Sequence, residues 1–312
     1  MPPLFSLNEL EDTFPIVRKL VPETPSYAWP LLRDRFGIDV IVKHENHTPI
    51  GAFKARSSIV FIQRHLERSG RPKGVVTATR GNHGQSMALA ARTLGLPATI
   101  VVPEGNAEGK NRAMQAFGAD LVIEGKDFDV SRDVATKIAE DRDYLMVPPF
   151  HRDIVMGVAT YGLELFRAHP DLDVVYVPVG MGSGACALVT VRDLLGLKTE
   201  IIPVVSCEAP AYKLSFEAGH IVGTGTARTF ADGMACRQPM QAALDILMAG
   251  AERMIAVSDD EVAEAIRVLY ADTHNLAEGA GAASLAAMMQ DREHLSGKKA
   301  GVLLTGGNLD ET

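Results

Sequence analysis

Gly51-Ala52-Phe53-Lys54-Ala55-Arg56-Ser57-Ser58 places one lysine directly after an aromatic residue and directly before an apolar run with helical spacing. A lysine framed by small residues can be a desolvated amine poised to form a Schiff base with an aldehyde cofactor. Alone, the stretch reads better as a solvated surface lysine beside a phenylalanine. Two further stretches change that weighing. Gly180-Met181-Gly182-Ser183-Gly184 joins a strand pattern to a helix pattern, and Thr305-Gly306-Gly307-Asn308 follows a buried-looking strand.

The 312 residues exceed one typical domain, so one or two domains with sizeable cores are expected. Hydrophobic residues make up 46% and charged residues 22%, the balance of an ordinary soluble globular protein. A net charge of −8 argues against a broad nucleic-acid surface or an anionic-membrane surface, so any basic residue facing a phosphate must act locally. The cysteines, Cys186, Cys207 and Cys236, are widely spaced without zinc-site pairing and read as small buried hydrophobes in a reducing compartment. The start, Met1-Pro2-Pro3-Leu4 followed by Asn8, Glu9, Glu11 and Asp12, has no basic region leading into an apolar core, and no run of about 18 apolar residues suggests a membrane span. A cytoplasmic location follows by default.

Along the chain, one short helix is expected from Ser6 to Lys19 and a strand from Ile38 to Lys43, before a helix that Lys54 opens and that runs to Arg68. Strands at 75–78, 98–102 and 120–123 alternate with helices at 85–94 and 110–117, and this unit closes near Pro148-Pro149. A second series has helices at 154–168, 185–195, 259–272 and 280–290 and strands at 173–178, 201–206 and 299–304. Strands spaced by single helices imply an α/β fold of two doubly wound parallel or mixed sheets, with ligands held in the cleft beyond the carboxyl ends of the strands.

Strand, Gly-Met-Gly-Ser-Gly, helix is a sound anion site, because glycines admit close approach and the helix start presents free N–H groups under a favourable dipole. It lacks the Lys-Ser/Thr ending of a Walker A loop. A dinucleotide reading is weakened because the acidic residue about 20 positions on, Glu200, precedes its strand. A tight turn with no ligand is the plain alternative; Lys54 and Thr305 favour phosphate binding.

Thr24-Pro25, Phe53-Lys54, Gly81-Asn82-His83-Gly84-Gln85, the glycine loop and Thr305-Gly306-Gly307-Asn308 occur in this order over nearly the whole chain. Together they resemble the fold-type II, tryptophan-synthase-β-like pyridoxal-phosphate enzymes, most closely the threonine/serine dehydratase (ammonia-lyase) family. The resemblance implies a large cofactor-binding domain of residues 1–47 plus 151–312, a small inserted α/β domain of residues 48–150, and the pyridoxal 5'-phosphate cleft between them. It implies Lys54 as the catalytic, cofactor-bearing lysine, with Phe53, Asn82, Gly180, Met181, Gly182, Ser183, Gly184, Glu278 and Thr305 around the cofactor. Thr79, Arg80, Gly81, Asn82 and His83 are assigned to the substrate. Asn82 would meet the phenolic oxygen of the cofactor, and Glu278 resembles the glutamate of a Glu-Pro-Ala-Gly-Ala segment near the ring, with Gly279 in place of the proline. A threonine hydroxyl at the pyridine nitrogen cannot hold it protonated, which favours elimination over transamination. His83 could be taken for a general base, but a histidine at a helix start reads better as a structural hydrogen-bonder.

The implied reaction is β-elimination from a β-hydroxy-α-amino acid to a 2-oxo acid and ammonia, with Lys54 taking the Cα proton and the cofactor phosphate protonating the departing hydroxyl. Arg80 departs from the pattern. The family usually has a small residue there, the serine acid/base of the related racemases, and arginine keeps its proton, so a racemase is disfavoured. Arg80 either pairs with a second substrate carboxylate, admitting an acidic or bulky β-hydroxy amino acid such as 3-hydroxyaspartate, or swings out to a surface acid. Ser57 and Ala159 stand where glycines are common. Glu208 matches an acid that binds a divalent cation in some relatives, but Leu214 is no partner for it, and no metal site is expected. The remaining alternatives are a β-replacing amino-acid synthase of the same fold and a non-catalytic binding protein. A homodimer is expected by resemblance. The chain stops soon after Asn308, which predicts no regulatory C-terminal domain and no feedback by isoleucine.

Overall fold

Proline and a capping box divide the first segment. The computed structural model describes residues 3–309, so Met1 and Pro2 of the leader reading lie outside the described residues. Ser6 and Glu9 cap α1 (Leu7–Glu11) reciprocally, and Pro15 sits in the first turn of α2 (Phe14–Val17). Proline fits a first turn but would clash inside a helix, so the single helix expected over 6–19 is two. Then come β1 (Ser26–Ala28), α3 (Pro30–Phe36), which ends at left-handed Gly37, and β2 (Val40–His44).

Next are α4 (Ala55–Ser69), β3 (Val75–Ala78), α5 (Asn82–Thr93), β4 (Ala98–Val102), α6 (Glu108–Ala116), β5 (Asp120–Ile123), α7 (Phe128–Arg142) and β6 (Leu145–Met146). The chain continues with α8 (Arg152–Ala168), β7 (Val174–Pro178), α9 (Ser183–Leu194), β8 (Glu200–Ser206), α10 (Ala211–Ala218) and α11 (Gln241–Gly250). It closes with β9 (Ile255–Val257), α12 (Asp259–Thr273), α13 (Gly279–Gln290) and β10 (Ala300–Leu304).

Two sheets result. One is six-stranded in the order β1-β2-β10-β7-β8-β9, parallel except for the short antiparallel edge β1. The other is parallel and four-stranded, in the order β5-β4-β3-β6, with all its strands between residues 75 and 146. The α/β fold with one mixed and one parallel sheet is as expected. The final strand in sequence, β10, takes a central place between β2 and β7, with Ala300 opposite both Val40 and Val174. That position sends Thr305 to the middle of the sheet's carboxyl edge, where parallel sheets hold ligands.

Helix α4 packs against both α5 and α8. Gly157 permits the second contact: a Cβ there would stand 2.3 Å from the Arg56 carbonyl oxygen. The structure adds elements that the sequence pattern does not predict, namely β1, α3, α7, β6, α10, α11 and β9. Helix α7 has only Ser131 and Ala135 buried, too sparse an apolar stripe for periodicity to register. The cysteine reading needs one correction, since Cys186 and Cys236 are buried but Cys207, where the chain leaves β8, is exposed. Among the described residues no helix is long and apolar enough to cross a membrane.

Candidate active site

The lysine stretch is held in place by the other end of the chain. The Phe53 N–H donates to the Thr305 carbonyl (2.9 Å), the Gly307 N–H donates to the Gly51 carbonyl (2.9 Å), and Ala52 forms an antiparallel bridge with Gly306. Gly51 is left-handed, at φ +68°, and Asn308 lies so close that a Cβ at Gly51 would be 2.8 Å from its Oδ1. Lys54 therefore stands at the N-cap of α4, directly after the residue that bonds Thr305.

Lys54 Nζ donates to Ser183 Oγ at 2.9 Å and lies 4.8 Å from the centre of the Phe53 ring. Burial lowers its pKa from 10.5 to about 8, because the charged form loses hydration without gaining a carboxylate partner. Ser57 Oγ (2.7 Å) and Ser86 Oγ both donate to the Lys54 carbonyl and fix the backbone beneath the amine.

The glycine loop supplies the opposite wall. Gly182 is left-handed, at φ +92°, and starts α9. Gly180 passes Gly233 so closely that a Cβ would be 2.0 Å from its carbonyl oxygen. The backbone N–H groups of residues 180–185 have no acceptor among the described residues, although 182–185 are buried. Buried N–H groups without partners are costly, and a cluster of them at a helix start with an ammonium nearby is an anion site. Tyr161 and Tyr212 brace the loop by donating to the Gly184 (3.0 Å) and Met181 (3.1 Å) carbonyls.

The third wall is the turn from β3 into α5. Thr79 Oγ1 accepts from the Gly81 N–H (3.2 Å), while the N–H groups of Asn82 and His83 have no acceptor among the described residues. Asn82 Nδ2 donates to Glu278 Oε1 (2.8 Å), and Asn308 Nδ2 donates to Asn82 Oδ1 (2.7 Å). Burial raises the Glu278 pKa to about 7, against the opposing pull of Lys110. His83 is buried, with Nε2 3.4 Å from the Val147 carbonyl and Nδ1 unpaired; burial, with Lys54 nearby, lowers its pKa to about 4 and keeps it neutral. Thr305 is buried, its hydroxyl 3.3 Å from the Ala280 carbonyl.

Direct bonds thus join Lys54 to Ser183 of the glycine loop, and Asn82 to both Glu278 and Asn308, while the Thr305 carbonyl holds Phe53, the neighbour of Lys54. Arg80 is exposed and makes no hydrogen bond or ion pair with a described residue, so the surface acid expected as one of its two partners is not there. Thr24 lies below the site, where its hydroxyl donates to Glu45 (2.5 Å) and accepts from Arg56 (3.1 Å).

Three contributors escape the sequence reading. Ser86 sits one helical turn after Asn82, and the i,i+4 spacing puts both on one face. Asn308 belongs to a recognised motif but has no role assigned by it. Lys110 Nζ bonds Asp232 (2.6 Å) beside Gly81, linking segments far apart in sequence and giving no local signal.

A group with a phosphate, an aldehyde and an aromatic ring matches this set of donors: unpaired N–H groups for the phosphate, the amine of Lys54 for the aldehyde, and Asn82 and Thr305 for the ring. The comparisons agree. Residues 17–306 match the model of the pyridoxal-phosphate dependent enzyme family. The chain is 35% identical to the L-threonine ammonia-lyase of Geobacter sulfurreducens over 99% of its own length and 76% of that protein's. It is 29% identical to the L-threo-3-hydroxyaspartate ammonia-lyase of Saccharomyces cerevisiae, covering 94% and 90% of the two chains. A solved threonine deaminase from T.th. superposes with a TM-score of 0.92 at 30% identity, over 99% of this chain and 100% of that one. The chain belongs to the pyridoxal-phosphate dependent enzymes, in the threonine dehydratase family of fold type II.

Proposed function

We propose that the chain is a pyridoxal-phosphate dependent ammonia-lyase that converts a β-hydroxy-α-amino acid of the threonine/serine type into a 2-oxo acid and ammonia. The observation that supports this reading is the Lys54 amine bonded to Ser183 within a loop whose N–H groups at 180–185 have no acceptor among the described residues, with Phe53 beside it held by the Thr305 carbonyl. Bound there, the cofactor supplies the electron sink that makes the substrate's Cα–H bond acidic. Lys54 takes the Cα proton, and the burial that lowers its pKa to about 8 enlarges the share of neutral amine near neutral pH. The free N–H groups of Asn82 and His83, at the start of α5, hold the substrate carboxylate. His83, neutral and buried, shapes the loop and takes no part in proton transfer. Thr305 offers a neutral hydroxyl to the ring nitrogen, which limits carbanion character and favours elimination over transamination.

A second reading of the substrate has its own support. Arg80, unpaired and exposed at the mouth of this loop, suits a side-chain carboxylate, as 3-hydroxyaspartate would present. We also propose residues 48–150 as an inserted small domain, a homodimer as the assembly, and the cytoplasm as the location. The confinement of the four-stranded sheet to residues 75–146 supports the insertion.

The test is ammonia release from L-threonine, L-serine and 3-hydroxyaspartate by the wild type, Lys54→Ala and Arg80→Ser. Lys54→Ala should lose turnover and the visible absorbance of lysine-bound cofactor while keeping its circular dichroism; full activity in that variant refutes the assignment. Arg80→Ser should lower kcat/KM for 3-hydroxyaspartate relative to threonine by about tenfold or more, since a charge-assisted bond contributes about 1.5–3 kcal/mol. Unchanged preference removes the acidic-substrate reading.

A further inference from the structure

Three side chains at the back of the site fully determine one another's orientation. Asn308 Nδ2 spends both hydrogens, on the Ile50 carbonyl (2.7 Å) and on Asn82 Oδ1 (2.7 Å). Asn82 Nδ2 spends one on Glu278 Oε1 (2.8 Å), and no described residue takes the other. A carboxamide can ordinarily turn over at little cost, because its two ends differ only in polarity. Here a turned Asn82 would set an N–H against the committed NH2 of Asn308 and, whenever Glu278 is ionised, an oxygen against its carboxylate. Asn308 cannot turn in response, because its other hydrogen holds Ile50. The glycines nearby leave room for this packing: a Cβ at Gly51 would be 2.8 Å from Asn308 Oδ1, and one at Gly306 would be 2.4 Å from Glu278 Oε1.

We propose that Asn308 and Glu278 are positioning residues that lock the Asn82 carboxamide from both sides, so that its one uncommitted N–H always faces the site as a donor to the phenolic oxygen of the cofactor. Neither residue touches the reacting atoms; each acts through Asn82. The inference rests on the cofactor reading above. It goes beyond that reading by assigning the work of Asn82 to a three-residue clamp joining α5, the segment before α13 and the segment after β10.

The experiment compares holoenzyme of the wild type with Asn82→Ala, Glu278→Ala, Glu278→Gln, Asn308→Ala and the double variant Asn82→Ala/Glu278→Ala. Two readouts are followed: the absorbance maximum of bound cofactor with its pH titration, and the cofactor dissociation constant. Loss of one net hydrogen bond predicts about two- to tenfold weaker cofactor binding in Asn82→Ala. Glu278→Ala and Asn308→Ala should shift the spectrum in the same direction as Asn82→Ala. Glu278→Gln should stay near wild type, because its amide oxygen still accepts from Asn82.

The decisive arm is the double variant. If Glu278 acts through Asn82, removing it in the Asn82→Ala background adds little; a shift as large as in the single variant overturns the proposal. A Glu278→Ala holoenzyme with wild-type spectrum and affinity beside an altered Asn82→Ala overturns it equally, and does not depend on whether Asn308→Ala folds. A wild-type protein with no visible cofactor absorbance would instead refute the cofactor reading itself, so the two failures are distinguishable.

Discussion

Replacing Arg56 with methionine should destabilise the protein severely. The Arg56 guanidinium is fully buried and bonded on every side: to Glu45 at 2.8 and 3.0 Å, to Glu164 at 2.9 Å through two nitrogens, and to the hydroxyls of Thr160 (3.0 Å) and Thr24 (3.1 Å). Methionine matches the length of the chain but supplies no charge. Glu164 would keep Lys43 (2.7 Å) and Arg18 (2.8 Å), whereas Glu45, itself fully buried, would retain only the Thr24 hydroxyl. Removing one partner of a buried pair costs about 3–5 kcal/mol, because the survivor stays desolvated and uncompensated. At roughly 2–3 °C per kcal/mol for a chain of this size, the midpoint should fall by about 6–15 °C. Thermal unfolding followed by circular dichroism at pH 7.5 measures it. Adding Glu45→Gln removes the stranded charge and should recover at least about half of the loss. A midpoint within about 2 °C of wild type, or no recovery in the double variant, would refute the claim that this cluster holds α4 through its charge balance.

Gly180→Ala should leave far-UV circular dichroism unchanged but weaken cofactor binding by about tenfold or more in an absorbance titration, since a Cβ 2.0 Å from the Gly233 carbonyl oxygen forces the loop to move. Tight binding in that variant would mean that the N–H groups of 180–185 are not the anchor. The rate at which cofactor-stripped protein recaptures pyridoxal phosphate should rise with pH and level off above about 8. Burial lowers the Lys54 pKa, so the reactive neutral amine gains population up to that value and no further. A rate still climbing in proportion to hydroxide near pH 10 would place Lys54 in water.

The sequence made the site more legible than the scaffold. Lys54, the glycine loop and Thr305 could be found because each lies in a short recognisable motif, and β3 and β4 because buried parallel strands read as short apolar runs; β5, an edge strand with no buried residue, still carries the apolar run Leu121-Val122-Ile123. Helix α7 escaped, having only small residues buried, and so did β9, three residues long beside a polar loop. Single-residue reasoning also failed where a side chain works through a distant partner. Arg56 looks like a surface arginine on an amphipathic helix until β2 and α8 bring Glu45 and Glu164 against it. Asn308 looks like a turn residue until Gly51 lets it approach Asn82.

Both failures have one physical origin, and it bears on how the lysine is tuned. The amine at position 54 owes its low pKa to desolvation alone, with no cationic neighbour among the causes. Desolvation is a property of everything packed around a group, so it depends on the fit of α4 between α5 and α8. That fit depends in turn on Gly157 against the Arg56 backbone and on the buried charge cluster below. A local motif can announce that a lysine is reactive. The contacts that make it so are spread from Thr24 to Asn308, and only the folded chain assembles them.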